Sequence, residues 1–277
     1  MTRRPFEMVP LPAARSTAKP RHTGLTMMMD WGMPMQHLED TLDLAAPYID
    51  LGKIVAGTAR LYDVETFRRK LALYKDYDVK PFLGGQFLEY VFATQGWDAV
   101  GPYCEEAKRH GVEAIEVSDN CVPLDDQERH RMIRLAIDCG LEVHGEVGSK
   151  TGKQEGAELI AQAKVCFEAG CELVLVEAAE LMEAGAIKQD LLAELRDGLD
   201  ISKVLFELTG YWIKGTTVND VFELQKAFVL AFGPDVNIAN VQPDAVIGLE
   251  ALRCGLSVVG PARKSIPGAP HPSTGSG

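Results

Sequence analysis

Short apolar runs rich in β-branched residues alternate along the chain with longer stretches whose apolar positions recur every three or four residues. The short runs have the length and composition of buried strands, and the longer stretches have the periodicity of helices that bury one face. Several helical stretches close on a glycine, at Gly111, Gly140 and Gly170, as expected just past a helix end. The predicted strands cover residues 24–30, 48–54, 80–85, 114–119, 142–148, 172–178, 203–209 and 236–241.

This repeated order of strand and helix predicts an α/β fold, a single (β/α)8 TIM barrel. Parallel strands need crossover connections, and eight of them can close without leaving an edge. An open, doubly wound sheet is the alternative, but its G-x-G-x-x-G loop after the first strand is missing from the sequence. We expect the barrel to span residues 21–260, between a flexible, disordered N-terminal arm (1–20) and a flexible, disordered C-terminal tail (261–277), both rich in proline.

Composition and charge narrow the function classes. The 277 residues are 46% hydrophobic and 25% charged, as in globular proteins, and no segment has the roughly 18 unbroken apolar residues of a membrane span. The net charge of −12 argues against a nucleic-acid partner, which requires a basic face. The six cysteines lack zinc or C-x-x-C spacing, which favours reduced thiols in a cytoplasmic protein over a disulfide framework.

Polar residues collect at the carboxyl ends of the predicted strands, where barrels of this kind carry their active sites. Four glutamates there follow branched or aromatic apolar residues in strands expected to be buried: Glu116, Glu146, Glu177 and Glu207. Burial of carboxylates without partners is costly, so we expect them to share a cation, a lysine or both. Asp119 fits a helix cap equally well, and Lys53 also fits a solvent-exposed position.

The stretch EVHGEVGSK places a carboxylate, Glu146, and an amine, Lys150, at the end of the fifth strand. Both would face one polar pocket at the barrel mouth. A lysine near carboxylates can exchange a proton with a substrate carbon. The spacing therefore indicates acid–base chemistry at this strand end, on a substrate that the spacing does not identify.

Several separated motifs resemble the phosphosulfolactate synthase family, in the order and spacing found there, over a span from Arg21 to Leu256. They are RHTGLTMMMDWGMP, YIDLGKIVAGTA, GGQFLEY, EAIEVSDN, EVGSK and GPDVNIANVQPDAVIGLEALRCGL. The resemblance implies a (β/α)8-barrel lyase that adds sulfite to phosphoenolpyruvate with Mg²⁺. It also implies a small anionic substrate and a homo-oligomeric assembly.

The same resemblance implies roles for individual residues. Lys150 corresponds to the lysine proposed as the family's acid/base, and Glu146 is the second catalytic candidate. The carboxylates that would bind the metal are Asp30, Glu116, Glu177 and Glu207. The residues that would contact the substrate are Lys53, Thr58, Gly84, Gly85, Ser118, Asn237 and Asn240.

The chain also departs from the family pattern at positions expected to line the pocket. Trp31 stands where a basic residue is expected, Val55 and Ala56 replace a Gly-Trp pair, and Ala179 replaces an arginine. These changes leave two alternatives open. The same lysine and carboxylates would act on a less charged substrate, or the barrel would be a non-catalytic, stress-associated relative. The aromatic residues Trp31, Tyr211 and Trp212 would suit a more apolar ligand.

Overall fold

The computed structural model describes residues 4–13, 15–149, 154–183 and 186–257. Its barrel strands are β1 (Thr26–Asp30), β2 (Leu51–Ile54), β3 (Lys80–Leu83), β4 (Ala114–Val117), β5 (Glu142–Val147), β6 (Leu173–Val176), β9 (Val204–Glu207) and β10 (Asn237–Val241). They pair in parallel in that order, and β10 pairs with β1 to close the barrel. The predicted TIM barrel is confirmed, and every barrel strand lies within its predicted range. A small antiparallel hairpin, β7 (Met182–Glu183) with β8 (Ala186–Ile187), interrupts the connection after β6.

Helices surround the barrel and connect its strands. They are α1 (Met35–Ala45), α2 (Val64–Asp76), α3 (Gly85–Gln95), α4 (Val100–Arg109), α5 (Asp126–Asp138), α6 (Gly156–Ala169), α7 (Ala178–Leu181), α8 (Gln189–Gly198), α9 (Val218–Phe232) and α10 (Val246–Arg253). Side-chain caps begin α5 and α9, where Asp125 and Thr217 each form a capping box with the acidic residue three positions later. Gly170 ends α6 in the left-handed conformation, as its position in the sequence predicts.

The strands divide the apolar side chains into two layers. Leu51, Phe82, Ala114 and Leu205 belong to a cluster inside the barrel, and a larger cluster packs the strands against the helices. Successive strand residues face opposite sides, so a residue two positions after an inward-facing one also faces inward. The polar residues that lie two positions after these inward-facing apolar residues therefore also face the barrel interior, at its carboxyl end.

The segment before β1 packs against the amino end of the barrel. Arg15 donates hydrogen bonds to Asp235 (2.7 Å) and Glu250 (2.9 Å), and Lys19 donates to the carbonyl oxygens of Ile49 (2.5 Å) and Asp78 (2.9 Å). Residues assigned to the N-terminal arm thus contact the barrel directly. The predicted C-terminal tail, 261–277, lies outside the described residues. In the part of the chain that is described, no helix combines the length and apolarity required to cross a membrane.

Candidate active site

Three glutamates from different strands converge at the carboxyl end of the barrel. One carboxylate oxygen from each of Glu116 (β4), Glu146 (β5) and Glu207 (β9) lies within 4.8 Å of the others, and all three side chains are buried. Lys53, from β2, extends among them, with its Nζ 2.7 Å from Glu116 Oε2 and 3.1 Å from Glu207 Oε1. We call these four residues the carboxylate cluster. The expectation that buried carboxylates share a lysine is confirmed for Glu116 and Glu207.

The electrostatics of the carboxylate cluster follow from burial and from its uneven charge. Burial raises the pKa of Glu116 to about 7, because burial, with a smaller contribution from the neighbouring Glu146, outweighs the attraction of Lys53. Burial acts in the opposite direction on Lys53, but the nearby carboxylates outweigh it and hold the pKa of Lys53 above its usual value. Lys53 therefore remains protonated at neutral pH.

The start of α3 touches the carboxylate cluster, and two adjacent glycines permit this approach. The amide nitrogen of Gly85 donates to Glu116 Oε1 at 2.8 Å, so the positive end of the helix dipole faces a carboxylate. A methyl group on Gly85 would lie 2.2 Å from Ser118 Oγ, and one on Gly84 would lie 3.0 Å from Lys53 Cε. Gly85 is thus required sterically, because any larger residue would displace Ser118, whereas Gly84 leaves only a tight contact with the flexible side chain of Lys53.

The loop after β4 holds Glu146 from the side. Asn120, directly after the strand-end residues Ser118 and Asp119, donates from Nδ2 to Glu146 Oε1 at 2.5 Å. Arg129, on α5, donates to the backbone oxygen of Glu146 (3.1 Å) and to Asp119 Oδ2 (2.7 Å). Neither Asn120 nor Arg129 was predicted to belong to the site. The polar run SDN at the end of β4 was the available signal for Asn120, but no pattern placed an α5 arginine here.

Above the carboxylate cluster, the barrel mouth is narrow and partly aromatic. Its cavity of about 50 Å³ is lined by the cluster residues Lys53, Glu116 and Glu146 and by Met29, Trp31, Val55, Ala56, Gly84, Gly85, Gln86, Trp212 and Asn240. The rings of Trp31 and Trp212 lie 5.7 Å apart between centroids, and Tyr211 lies 5.7 Å from Trp31 and 5.2 Å from Trp212. Ala56 (φ 48°) and Asn240 (φ 59°) both adopt left-handed backbone conformations here, which are costly for alanine and are tolerated better by asparagine.

Two predicted metal ligands have other partners. Asp30 Oδ1 accepts from the amides of Gly32 (2.8 Å) and Met33 (2.7 Å), and its Oδ2 accepts from Lys70 (2.7 Å) and Tyr74 (3.0 Å). Four donors therefore occupy this carboxylate, which anchors the loop after β1. Glu177 caps α7, with Oε1 accepting from Ala179 N at 3.1 Å. The structure brings neither residue into the carboxylate cluster.

The remaining predicted site residues occupy different positions. Thr58 donates to the carbonyl of Val55 (2.9 Å), and the hydroxyl of Ser118 donates to Glu89. Asn237 is the first residue of β10, at the amino end of the barrel. Its Oδ1 accepts from the amide of Leu25 (2.9 Å), and its Nδ2 donates to the carbonyls of Ser202 (2.9 Å) and Val204 (3.1 Å). This position is remote from the mouth, and we therefore do not retain Asn237 in the site. Lys150 lies outside the described residues.

A larger cavity, about 640 Å³, opens at the amino end of the barrel. Four of its charged lining residues pair with each other, Arg21 with Asp50 (2.7 Å) and Lys80 with Glu142. The convergent carboxylates lie at the opposite end, where the strands of such barrels present catalytic groups. The smaller cavity at the mouth is therefore the candidate active site.

Comparisons with known proteins match most of the chain. Residues 14–258 match the family of (2R)-phospho-3-sulfolactate synthase. The phosphosulfolactate synthase of Methanothermobacter thermautotrophicus is 31% identical over 251 residues, which cover 87% of this chain and 92% of that protein. The phosphosulfolactate synthase of Methanocaldococcus jannaschii is 32% identical over 244 residues, which cover 84% of this chain and 92% of that protein.

Similarity to solved structures extends to more distant barrels. The YdjI aldolase of Escherichia coli K12 superposes with a TM-score of 0.54 at 13% sequence identity, over 84% of this chain and 86% of that one. At this level of identity the likeness shows the fold alone.

Proposed function

Since the chain belongs to the (2R)-phospho-3-sulfolactate synthase family, we propose that it is a Mg²⁺-dependent lyase of that type, which adds sulfite to phosphoenolpyruvate or a related enoyl acid. The observation that carries this proposal is the convergence of Glu116, Glu146 and Glu207 around Lys53 at the barrel mouth. The reaction creates negative charge on a carboxylate substrate, and such a site supplies cations, bound or built in, where that charge develops.

The donor set fits a divalent, oxygen-preferring metal ion. Glu116, Glu146 and Glu207 offer only carboxylate oxygens, which are the ligands that Mg²⁺ prefers, and the three carboxyl groups outnumber the single ammonium of Lys53. These three residues would hold the ion. When bound, Mg²⁺ would act as a Lewis acid that withdraws electron density from the substrate carboxylate.

The residues of the chain have separate tasks in the proposed reaction. The sulfur lone pair of sulfite forms a bond to the methylene carbon, and the electron pair of the C=C bond moves toward the substrate carboxylate as an enolate-like intermediate. The neighbouring carbon then takes a proton, and we assign its delivery to Lys150. Lys53, which stays protonated because its pKa is raised, stabilises the developing negative charge. Glu146, oriented by Asn120, is the second catalytic candidate.

Phosphorus NMR tests the overall reaction. Purified protein with phosphoenolpyruvate, sulfite and Mg²⁺ should produce a new phosphoester signal that requires sulfite and disappears on chelation of the metal. Lys150→Ala should abolish this signal, whereas Lys164→Ala, an exposed lysine on α6, should leave it unchanged. Full activity of Lys150→Ala would exclude that lysine as the proton donor.

A second candidate function keeps the same cluster but takes a less charged substrate. The aromatic group at the mouth favours it, since Trp31, Tyr211 and Trp212 offer ring surfaces to an apolar substituent. An unchanged phosphorus spectrum would support this candidate if carboxylic acids without phosphate raised the melting temperature of the wild type but not of Trp212→Ala.

We also propose a homo-oligomer in a reducing, cytoplasmic setting. All six cysteines are free thiols, four of them buried, which supports a reducing compartment. Size-exclusion chromatography with light scattering would test the oligomer, and a monomer at all concentrations would overturn it.

A further inference from the structure

A buried carboxylate outside the carboxylate cluster organises one side of it. Glu89 lies on α3, one helical turn after Gly85, and only 3% of its surface is exposed. The same helix reaches Glu116 through the amide of Gly85. Glu89 is thus fixed to an element that contacts the site, although its own carboxylate points to a different group of atoms.

The partners of Glu89 all come from the loop that follows β4. One carboxylate oxygen, Oε1, accepts the hydroxyl proton of Ser118. The other, Oε2, accepts from the amides of Cys121 (2.6 Å) and Val122 (3.0 Å). A buried carboxylate is costly unless such donors satisfy it, and buried backbone amides are costly without an acceptor. Glu89 and the loop therefore stabilise each other, and the loop is held at both ends of its turn.

Asn120 lies between these anchored positions. Its side chain donates to Glu146 Oε1 at 2.5 Å, and Asn120 itself is only 8% exposed. The adjacent Asp119 is held from the other side by Arg129 (2.7 Å), which also donates to the backbone oxygen of Glu146. The direction of the Glu146 carboxylate thus depends on a loop whose conformation depends on Glu89.

We infer that Glu89 is a positioning residue: it fixes the 118–122 loop so that Asn120 orients Glu146 within the carboxylate cluster. Its role is to accept hydrogen bonds, without contact to substrate or metal. The effect on metal binding and catalysis rests on the proposed function, whereas the effect on the loop does not. Residues that orient a metal ligand typically change metal affinity by about 10- to 100-fold when removed.

Two substitutions of Glu89 separate positioning from other roles. In Glu89→Gln, the amide oxygen can accept from both Cys121 and Val122, and the amide nitrogen can donate to Ser118, whose hydroxyl is free to rotate. Glu89→Ala removes all three contacts. A positioning residue therefore predicts that glutamine rescues what alanine loses, while an acid, base or metal ligand predicts that both variants fail.

The experiment compares wild type, Glu89→Ala, Glu89→Gln and Asn120→Ala, with Glu105→Ala, an exposed glutamate on α4, as the control. Hydrogen exchange of the peptide that covers 118–122 reports on the loop, and Mg²⁺ titration calorimetry together with kcat and KM reports on the site. We expect faster exchange in Glu89→Ala alone. We also expect about 10-fold or greater loss of Mg²⁺ affinity and kcat in Glu89→Ala and Asn120→Ala, with Glu89→Gln within about threefold of wild type.

Each result of this experiment either supports or overturns the positioning role of Glu89. Equal losses in Glu89→Gln and Glu89→Ala, or unchanged exchange in Glu89→Ala, would overturn the inference. If the wild type forms no sulfite adduct, but Glu89→Ala shows faster exchange and both Glu89→Ala and Asn120→Ala bind Mg²⁺ more weakly, the proposed function fails and the positioning role stands. If Glu89→Ala does not fold, Asn120→Ala together with a wild-type-like Glu89→Gln decides the same question, and a wild-type-like Asn120→Ala would overturn it.

Discussion

Replacement of Lys53 by methionine tests whether one buried charge holds the carboxylate cluster together. Methionine keeps much of the apolar stem but removes the ammonium that lies 2.7 Å from Glu116 and 3.1 Å from Glu207. Removal of one partner from a buried ion pair typically costs about 3–5 kcal/mol, because the other charge stays buried without compensation.

The cost should depend on pH, since a buried carboxylate can take up a proton instead. A glutamate with an ordinary pKa of 4.5 costs about 1.4 kcal/mol per pH unit to keep protonated above that pH. The folded Lys53→Met variant can take up one additional proton on a buried carboxylate. Its loss of stability is therefore limited to the cost of that protonation, roughly 3–4 kcal/mol at pH 7 and about 1 kcal/mol at pH 5.5. The direction follows from linkage. A carboxyl group whose pKa is raised by folding stabilises the fold below its unfolded pKa, and this stability is lost as the pH rises.

Urea denaturation followed by circular dichroism, without metal, measures this difference at the two pH values. The exposed Lys164→Met on α6 is the control for loss of a lysine charge. Added Mg²⁺ should reduce the deficit of Lys53→Met, because it restores positive charge among the carboxylates. A deficit of the same size at both pH values, or none at pH 7, would refute the argument that Lys53 acts through its charge.

Three further predictions follow from single positions. Burial, together with Lys80 and Lys53, lowers the pKa of His144 to about 3, so the unfolded chain gains a proton below pH 6.5 that the folded protein excludes. This group should lower the free energy of unfolding by up to about 1.4 kcal/mol per pH unit on acidification. In urea melts, the free energy of unfolding of His144→Leu should depend less steeply on pH than that of the wild type, and an unchanged dependence would contradict the prediction. Gly85→Ala should lower Mg²⁺ affinity and kcat at least about 10-fold, because its methyl group collides with the site. Gly101→Ala, which has open space around it, should leave both unchanged. Equal behaviour of the two variants would count against the close approach of α3. Ala56→Gly should raise the free energy of unfolding by about 1 kcal/mol by relieving a left-handed backbone, and a lower value in urea melts would show that no strain is stored there.

The strands and helices of the barrel could be predicted from the sequence because they follow a repeating pattern of apolar and polar positions. Apolar runs of strand length, separated by helical periods, require crossover connections and a parallel sheet, and each of the eight barrel strands lies inside its predicted range. The hairpin of Met182–Glu183 with Ala186–Ile187 was not predicted, since two-residue strands carry no periodicity.

The contacts between the charged residues at the barrel mouth could be predicted only in part from the sequence. The position of glutamates at strand ends correctly indicated a shared lysine, because a buried carboxylate requires a partner whatever the details of the fold. The same argument could not distinguish Glu207 from Asp30, since both end a strand and both are fully buried. Asp30 differs only through donors that the fold brings to it, notably Lys70, which is 40 positions away in the chain.

The sequence by itself determined the alternation of strands and helices and the strand ends that carry charge, because these depend on local periods of two and 3.6 residues, and it favoured a closed barrel over an open sheet. Only the tertiary structure decided which carboxylates face each other and which are occupied by loop amides. Glu116, Glu146 and Glu207 come together because their strands belong to one closed barrel. Glu89 lies on α3, and its carboxylate is instead occupied by three hydrogen bonds from the loop after β4. Such distinctions depend on distances between residues remote in sequence, and no local pattern encodes those distances.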